Sequence, residues 1–224
     1  MRKLDEILEI AFERHGREAM LDHLGASKPK SAKEISNIPD DRWLAQATKC
    51  IFQAGFNWKV IEAKWDGFEE AFENFDLGRW IFSSDDDLSR LVSDTRIVRN
   101  GQKIATVPEN ARFIGEIASE HGSFGKWIAD YPLIERNSML EEMNKRGSRL
   151  GAMTGQYFLR FMGVDAYIIT RDVTAALIRE NVIEKQPTSK KAMAQVQTAF
   201  NEWMEESGYG LTQISRILAR SIDG

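Results

Sequence analysis

Apolar residues recur every three or four positions along most of this chain, the spacing that lines one face of an α-helix. Leu4, Ile7, Leu8, Ala11 and Phe12 mark the first such face; Trp43, Leu44, Ala47, Ile51 and Ala54 mark a later one. Between them, residues 25–30 read as a loop broken by Pro29, and Ser31 with Glu34 has the spacing of a helix capping box. Pro39-Asp40-Asp41 opens the helix that carries Trp43, and Gly55 can stop it. The pattern predicts further helices over 57–63, 67–75, 85–92, 102–121, 138–145, 154–162, 173–181, 189–207 and 212–222, with Pro108 as a boundary or kink. The only β-like run is Ala166-Tyr167-Ile168-Ile169-Thr170. About ten helices joined by short loops predict an all-α fold with helices crossing at steep angles rather than a coiled coil.

Composition narrows the class. The chain has 224 residues, 42% of them hydrophobic, enough for one large domain or two small lobes. No apolar run reaches bilayer-spanning length, and the charged start Met1-Arg2-Lys3-Leu4-Asp5-Glu6 lacks a signal-peptide core, so the expected location is cytoplasmic. One cysteine, Cys50, excludes an internal disulfide, and with His15, His23 and His121 scattered no zinc site, iron–sulfur cluster or other cofactor is expected. Asp85-Asp86-Asp87 reads as acid favoured at a helix start, ahead of a metal-binding reading.

The formal net charge of −4 argues against a chain that coats nucleic acid, so a DNA partner requires a local basic surface. Two acid-free stretches qualify: 95–108 with Arg96, Arg99 and Lys103, and 143–164 with Lys145, Arg146, Arg149 and Arg160. In the second, a helix runs into a turn through Gly147 and Gly151, and another helix starts near Thr154 and Gly155. Glycines permit close backbone approach, and a helix start offers unpaired N–H groups to a phosphate. The expected DNA-contacting set is Lys145, Arg146, Gly147, Arg149, Gly151, Thr154, Gly155, Arg99 and Lys103, a helix-hairpin-helix that grips backbone without reading bases. An ordinary helical hairpin in a core fits the same periodicity.

The stretch from Lys145 to Gly163 resembles the hairpin of the helix-hairpin-helix DNA glycosylase superfamily, in its 3-methyladenine DNA glycosylase I branch. Gln53-Ala54-Gly55-Phe56-Asn57-Trp58 is similar to that branch's Gln-Ala-Gly-(Leu)-Ser-Trp pocket motif, and Leu91–Ile104 followed by Asn110-Ala111 is similar to its Ile-Ile-Arg…Lys-Ile segment. The resemblance runs in family order from about Trp43 to Val173. It implies an all-α fold of two helical lobes with a DNA-binding cleft between them: a central lobe over about 60–165, and a second lobe from 1–59 and 166–224. It also implies a base pocket drawn from Cys50, Phe52, Gln53, Phe56, Asn57, Trp58 and Tyr157. The chain departs from the family in lacking its zinc ligands and in carrying Cys50 where the branch has a pocket glutamate.

The resemblance implies excision of an alkylated purine such as 3-methyladenine after base flipping. Aromatic faces attract a cationic base by about 0.5–2 kcal/mol per good contact, and Phe52, Phe56, Trp58 and Trp65 are at hand, although aromatics at helical spacing usually fill cores. The superfamily's catalytic Asp position holds Thr170; Asp172, two residues on, is the expected carboxylate, with a plain helix N-cap as its competing role. Ala152 and Met153 stand where bifunctional relatives carry a Schiff-base lysine, so the resemblance implies a monofunctional enzyme without lyase activity. The expected partner is duplex DNA containing a damaged base, met by a monomer. A non-catalytic lesion-binding protein and a helical regulatory module stay open as alternatives.

Overall fold

The computed structural model describes residues 1–222, apart from the side chain of Ala152. Among the described residues there are sixteen α-helices, two 3-10 turns and no strand. In chain order they are α1 (Leu4–His15), α2 (Arg17–Gly25), α3 (Ala32–Ser36), α4 (Asp40–Gln53), α5 (Trp58–Ala63), α6 (Trp65–Ala71), α7 (Leu77–Ile81), α8 (Asp85–Ser93) and α9 (Gly101–Ile104). They continue as α10 (Thr106–His121), α11 (Phe124–Asp130), α12 (Arg136–Arg146), α13 (Ala152–Phe161), α14 (Arg171–Arg179), α15 (Lys190–Ser207) and α16 (Leu211–Arg220). The all-α expectation holds. Among the described residues no helix is long and apolar enough to cross a membrane, and no cluster of three or more His, Cys, Asp or Glu is placed to hold a metal.

Local rules account for most helix ends. Ser31 accepts from Glu34 N while Glu34 reaches back to Ser31 N, the full capping box. Asn57, Ser84, Asn100, Ser123, Thr170 and Ser189 each cap the helix that follows with a side-chain oxygen. The acid run 85–87 is used in the same way: Asp87 closes a capping box with Ser84 and pairs with Arg79, which holds its carboxyl well below the usual range. The predicted 102–121 helix is two, α9 and α10, parted at Ala105; Pro108 sits in the first turn of α10, where its missing N–H leaves nothing unpaired. Helices α2, α7 and α11 lie outside the predicted set, since each has nine residues or fewer and spans too few turns to show a clear period.

Two compact units divide the chain: Met1–Lys30 with Pro132–Met139 and Gly163–Gly224, and Ser31–Tyr131 with Leu140–Met162. The last two residues lie outside the described range. Helix α4 groups with α10 and α13 in the unit that starts at Ser31. In the terminal unit α1, α14 and α15 pack around α16, whose Leu211, Ile214, Ile217 and Leu218 are fully buried. The 166–170 run is not a strand. It is a buried extended connector, and its Ala166 N–H and C=O meet the Thr212 hydroxyl instead of a neighbouring strand.

The central unit is built on aromatics. Trp43 of α4 meets Phe124 of α11 at 5.4 Å and Phe158 of α13 edge-on at 5.7 Å. Phe52 caps a second cluster, edge-on to Phe68 at 4.8 Å, that continues through Trp65, Phe72, Phe75 and Trp80. Burying each such ring contributes about 1.5–3 kcal/mol. Gly125 allows α11 onto α3, for a Cβ there would lie 2.5 Å from Ile35 O.

Candidate functional site

The C-terminal end of α4, the start of α5 and one face of α13 enclose a cavity of about 260 Å³, lined by Cys50, Gln53, Ala54, Gly55, Trp58, Met153, Thr154, Tyr157 and Phe161. All of these residues belong to the central unit. Helix α4 ends at Gln53 because Gly55 takes a left-handed φ of 68° and Asn57 starts a new helix with its Oδ1 on Lys59 N. That turn brings Trp58 back over α13. Trp58 meets Tyr157 edge-on at 5.4 Å and Phe161 edge-on at 5.8 Å, while Tyr157 and Phe161 lie 5.6 Å apart. Trp58 is 42% exposed and Phe161 45%, so this aromatic group opens to solvent.

Of the expected pocket residues, the structure brings Cys50, Gln53, Trp58 and Tyr157 together. Phe52 does not join them; it faces the opposite side of α4 and is buried in the core against Phe68. Phe56 is 45% exposed and outside the lining, and Asn57 spends its carbonyl on the α5 cap. Met153, Thr154 and Phe161 were not assigned to the pocket from sequence. Their spacing with Tyr157 would have found them, because 153/154, 157 and 161 fall on one helical face.

The cavity wall is uncharged. Cys50 is buried, and burial pushes its thiol up to about 11, so it stays protonated at neutral pH; Gln46 Nε2 donates to its Sγ at 3.3 Å. Gln53 Nε2 donates to Glu62 Oε1 at 2.9 Å, and Glu62 Oε2 pairs with Lys49 Nζ at 2.7 Å. Gln46, Lys49 and Glu62 border a second, more open cavity of about 390 Å³ that shares Gln53, Trp58 and Phe161 with the first.

The hairpin turn lies between α12 and α13. Asn110, fully buried in α10, holds it from both sides: Oδ1 accepts from Ser148 N at 2.8 Å and Nδ2 donates to Ser148 O at 3.0 Å. Arg149, at the tip, is exposed with a left-handed φ of 56° and donates to Gln102 Oε1 at 2.9 Å. The hairpin glycines are required by packing within the protein. A Cβ on Gly147 would lie 2.8 Å from Met143 O, on Gly151 it would collide with the Asn144 side chain, and on Gly155 with Leu150 O.

The expected phosphate ligands separate into two groups. Arg99, Lys145 and Arg149 are exposed. Arg146 is committed to Glu116, Glu120 and Glu142. Lys103 is half-buried and donates to Phe52 O at 3.1 Å and Ala54 O at 2.7 Å, satisfying the open carbonyls at the end of α4; burial and Arg149 lower its pKa. These two cations therefore have partners within the protein. Thr154 lines the cavity.

Asp172 is exposed in the first turn of α14, and the helix is capped by Thr170, whose Oγ1 accepts from Val173 N at 3.2 Å. The N-cap role weighed for Asp172 thus belongs to Thr170.

The model of the methyladenine glycosylase family matches residues 42–156, which includes the cavity residues from Cys50 to Thr154. Among solved structures, 3-methyladenine DNA glycosylase I from Staphylococcus aureus is 20% identical, with a TM-score of 0.51 over 63% of this chain and 82% of that one. The Methanocaldococcus jannaschii 8-oxoguanine glycosylase/lyase, solved with a 15mer DNA containing 8-oxoguanine, is 14% identical but covers 96% of this chain and 94% of its own, at 0.53. The 8-oxoguanine DNA glycosylase of Thermotoga maritima is 17% identical, covering 99% of this chain and 98% of its own, also at 0.53. These likenesses establish the helical glycosylase fold.

Proposed function

This chain belongs to the methyladenine glycosylase family, and from that premise we propose that it is a DNA repair glycosylase that removes a damaged purine from duplex DNA by hydrolysis. The observation that carries the reading is the cavity of about 260 Å³ faced by Trp58, Tyr157 and Phe161, close to the smallest small-molecule sites and suited to a single flat ring system. A base inside a duplex reaches such a cavity only by being flipped out, at a cost of a few kcal/mol that is least for a damaged base. The exposed Arg99, Lys145 and Arg149 provide contacts for the DNA backbone.

In the reaction, the bond between the base nitrogen and the sugar's anomeric carbon breaks and the base leaves with the electron pair. Water adds to that carbon and loses a proton to solvent, while a cationic alkylated purine departs as the neutral base and needs no proton. Positive charge develops on the sugar meanwhile, and Asp172 is the acid assigned to stabilise it. An alkylated purine already carries positive charge and leaves readily, so the pocket's part is capture by ring faces. Met153 lines the cavity where lyase-type relatives carry an amine, and Lys49, bordering the neighbouring cavity, is held by Glu62. This supports hydrolysis without strand cleavage.

The test is incubation of the purified protein with methylated DNA, followed by identification of released bases and a strand-nicking assay. Free alkylated purine with intact strands is expected. An Asp172→Asn variant is expected to bind DNA normally and release base at least tenfold more slowly; full activity in that variant removes Asp172 from the mechanism. A non-catalytic lesion-binding protein is the second reading, favoured by the protonated Cys50 thiol and the capping Thr170 at the family's acidic positions. Under it, the protein binds methylated duplex in a salt-sensitive manner and releases nothing.

A further inference from the structure

Gln53, one of the residues lining the cavity, carries a polar atom without a partner. Gln53 is 3% exposed, and its Oε1 is buried with no hydrogen-bond partner among the described residues. Buried carbonyls are almost always satisfied, so one left open beside a cavity marks a place for a donor from outside. The orientation of the amide is determined. Glu62 presents carboxylate oxygens, which only accept, so Gln53 must turn Nε2 towards it, as the 2.9 Å contact to Oε1 shows. Glu62 cannot follow a reversed amide, because its other oxygen is held by Lys49 at 2.7 Å and that ammonium also lies 4.9 Å from the centre of the Trp65 ring. Reversing Gln53 would set oxygen against oxygen.

We propose that Gln53 Oε1 is the acceptor that reads an N–H donor on the edge of the base held by Trp58, Tyr157 and Phe161, and that Glu62 is the positioning residue keeping that acceptor turned inward. The proposal rests on the base-pocket reading above and adds its selectivity. An amino-bearing purine edge satisfies Oε1, whereas an oxo group at the same position meets it with a second oxygen. Family members with a carboxylate at position 50 have an acceptor there; here the position is a protonated thiol, and the acceptor comes from one helical turn further along α4.

The experiment is calorimetric titration of the full chain with free adenine, hypoxanthine and unsubstituted purine. The wild type is expected to bind adenine about tenfold more tightly than purine, the value of one net hydrogen bond. Gln53→Met is expected to lose that difference while retaining purine binding. In Glu62→Ala the amide is free to reverse, and the preference for adenine over hypoxanthine should fall about tenfold with purine affinity unchanged. Glu62→Gln has a single acceptor oxygen, for which Lys49 and Gln53 Nε2 compete, so it should recover at most part of the preference. Glu62 is half exposed, and unfolding curves for both Glu62 variants confirm that the fold is kept. Equal binding of adenine and purine by the wild type, or full discrimination in Glu62→Ala, overturns the proposal and leaves the base pocket standing. Absence of binding by all three bases removes the pocket reading and the proposal together.

Discussion

Two aromatic groups lie on either side of the last turn of α4, and they have opposite employment. Phe52, Phe68, Phe72, Phe75 and Trp80 are fully buried, with Trp65 stacked on Phe68 at 5.4 Å and on Phe75 at 5.7 Å. Trp58 meets Tyr157 and Phe161 edge to face, open to solvent, and the three leave about 260 Å³ unfilled beside them. The first group satisfies itself; the second has ring faces and one carbonyl still to be met. Aromatic residues six positions apart in sequence, Phe52 and Trp58, thus belong to a core and to a candidate binding site because the Gly55–Asn57 turn reverses the chain between them.

The largest expected effect breaks the core group. Phe68→Ala removes a fully buried ring touching Phe52, Trp65 and Phe72 and should cost about 3–5 kcal/mol in denaturant unfolding. Trp58→Ala should do the reverse. Its stability cost is expected near 1 kcal/mol, the worth of its ring contacts, while base release falls tenfold or more. A loss of stability in Trp58→Ala equal to that of Phe68→Ala, with activity intact, would merge the two groups into one core.

Lys103 sharpens the comparison because it holds the turn that separates them. Lys103→Met removes both bonds to Phe52 O and Ala54 O, and should lower stability by about 1–2 kcal/mol without changing the salt dependence of DNA binding. A salt slope shallower by about one unit would return Lys103 to the DNA contacts. The smallest effect lies in the terminal unit and should leave both aromatic groups untouched. Burial, with Arg220, Arg216 and His15 adding to it, lowers the His23 pKa below 6.5. Its unfolded state therefore takes up a proton first, and stability present above that pH is lost as pH falls below it. Thermal unfolding of His23→Gln between neutral and mildly acidic pH should show a flatter profile.

Most helices were legible because each has its own local signal. The Ser31–Glu34 box, the Asn57 and Ser189 caps and the apolar face of α4 all work through neighbours two to four residues away. The helices that escaped are short: α7 and α11 have side-chain caps in Asp76 and Ser123 but too few turns to show a period, and α2 starts at Gly16 without a side-chain cap. The site was legible where it coincides with the family's Gln-to-Trp motif and partly illegible on α13. The family match ends at residue 156, one short of Tyr157 and five short of Phe161.

The order of residues alone therefore determined an all-helical chain, its family, the hairpin between α12 and α13, and the candidates from Cys50 to Trp58, since these depend on backbone geometry and short-range spacing. Tertiary packing decided which aromatic became core and which became wall, that Arg146 and Lys103 were spent inside the protein, and that Glu62 would fix the direction of a buried amide. Those outcomes depend on which groups meet after the chain has turned back on itself, and burial changes the worth of a ring or a charge only once its neighbours are in place.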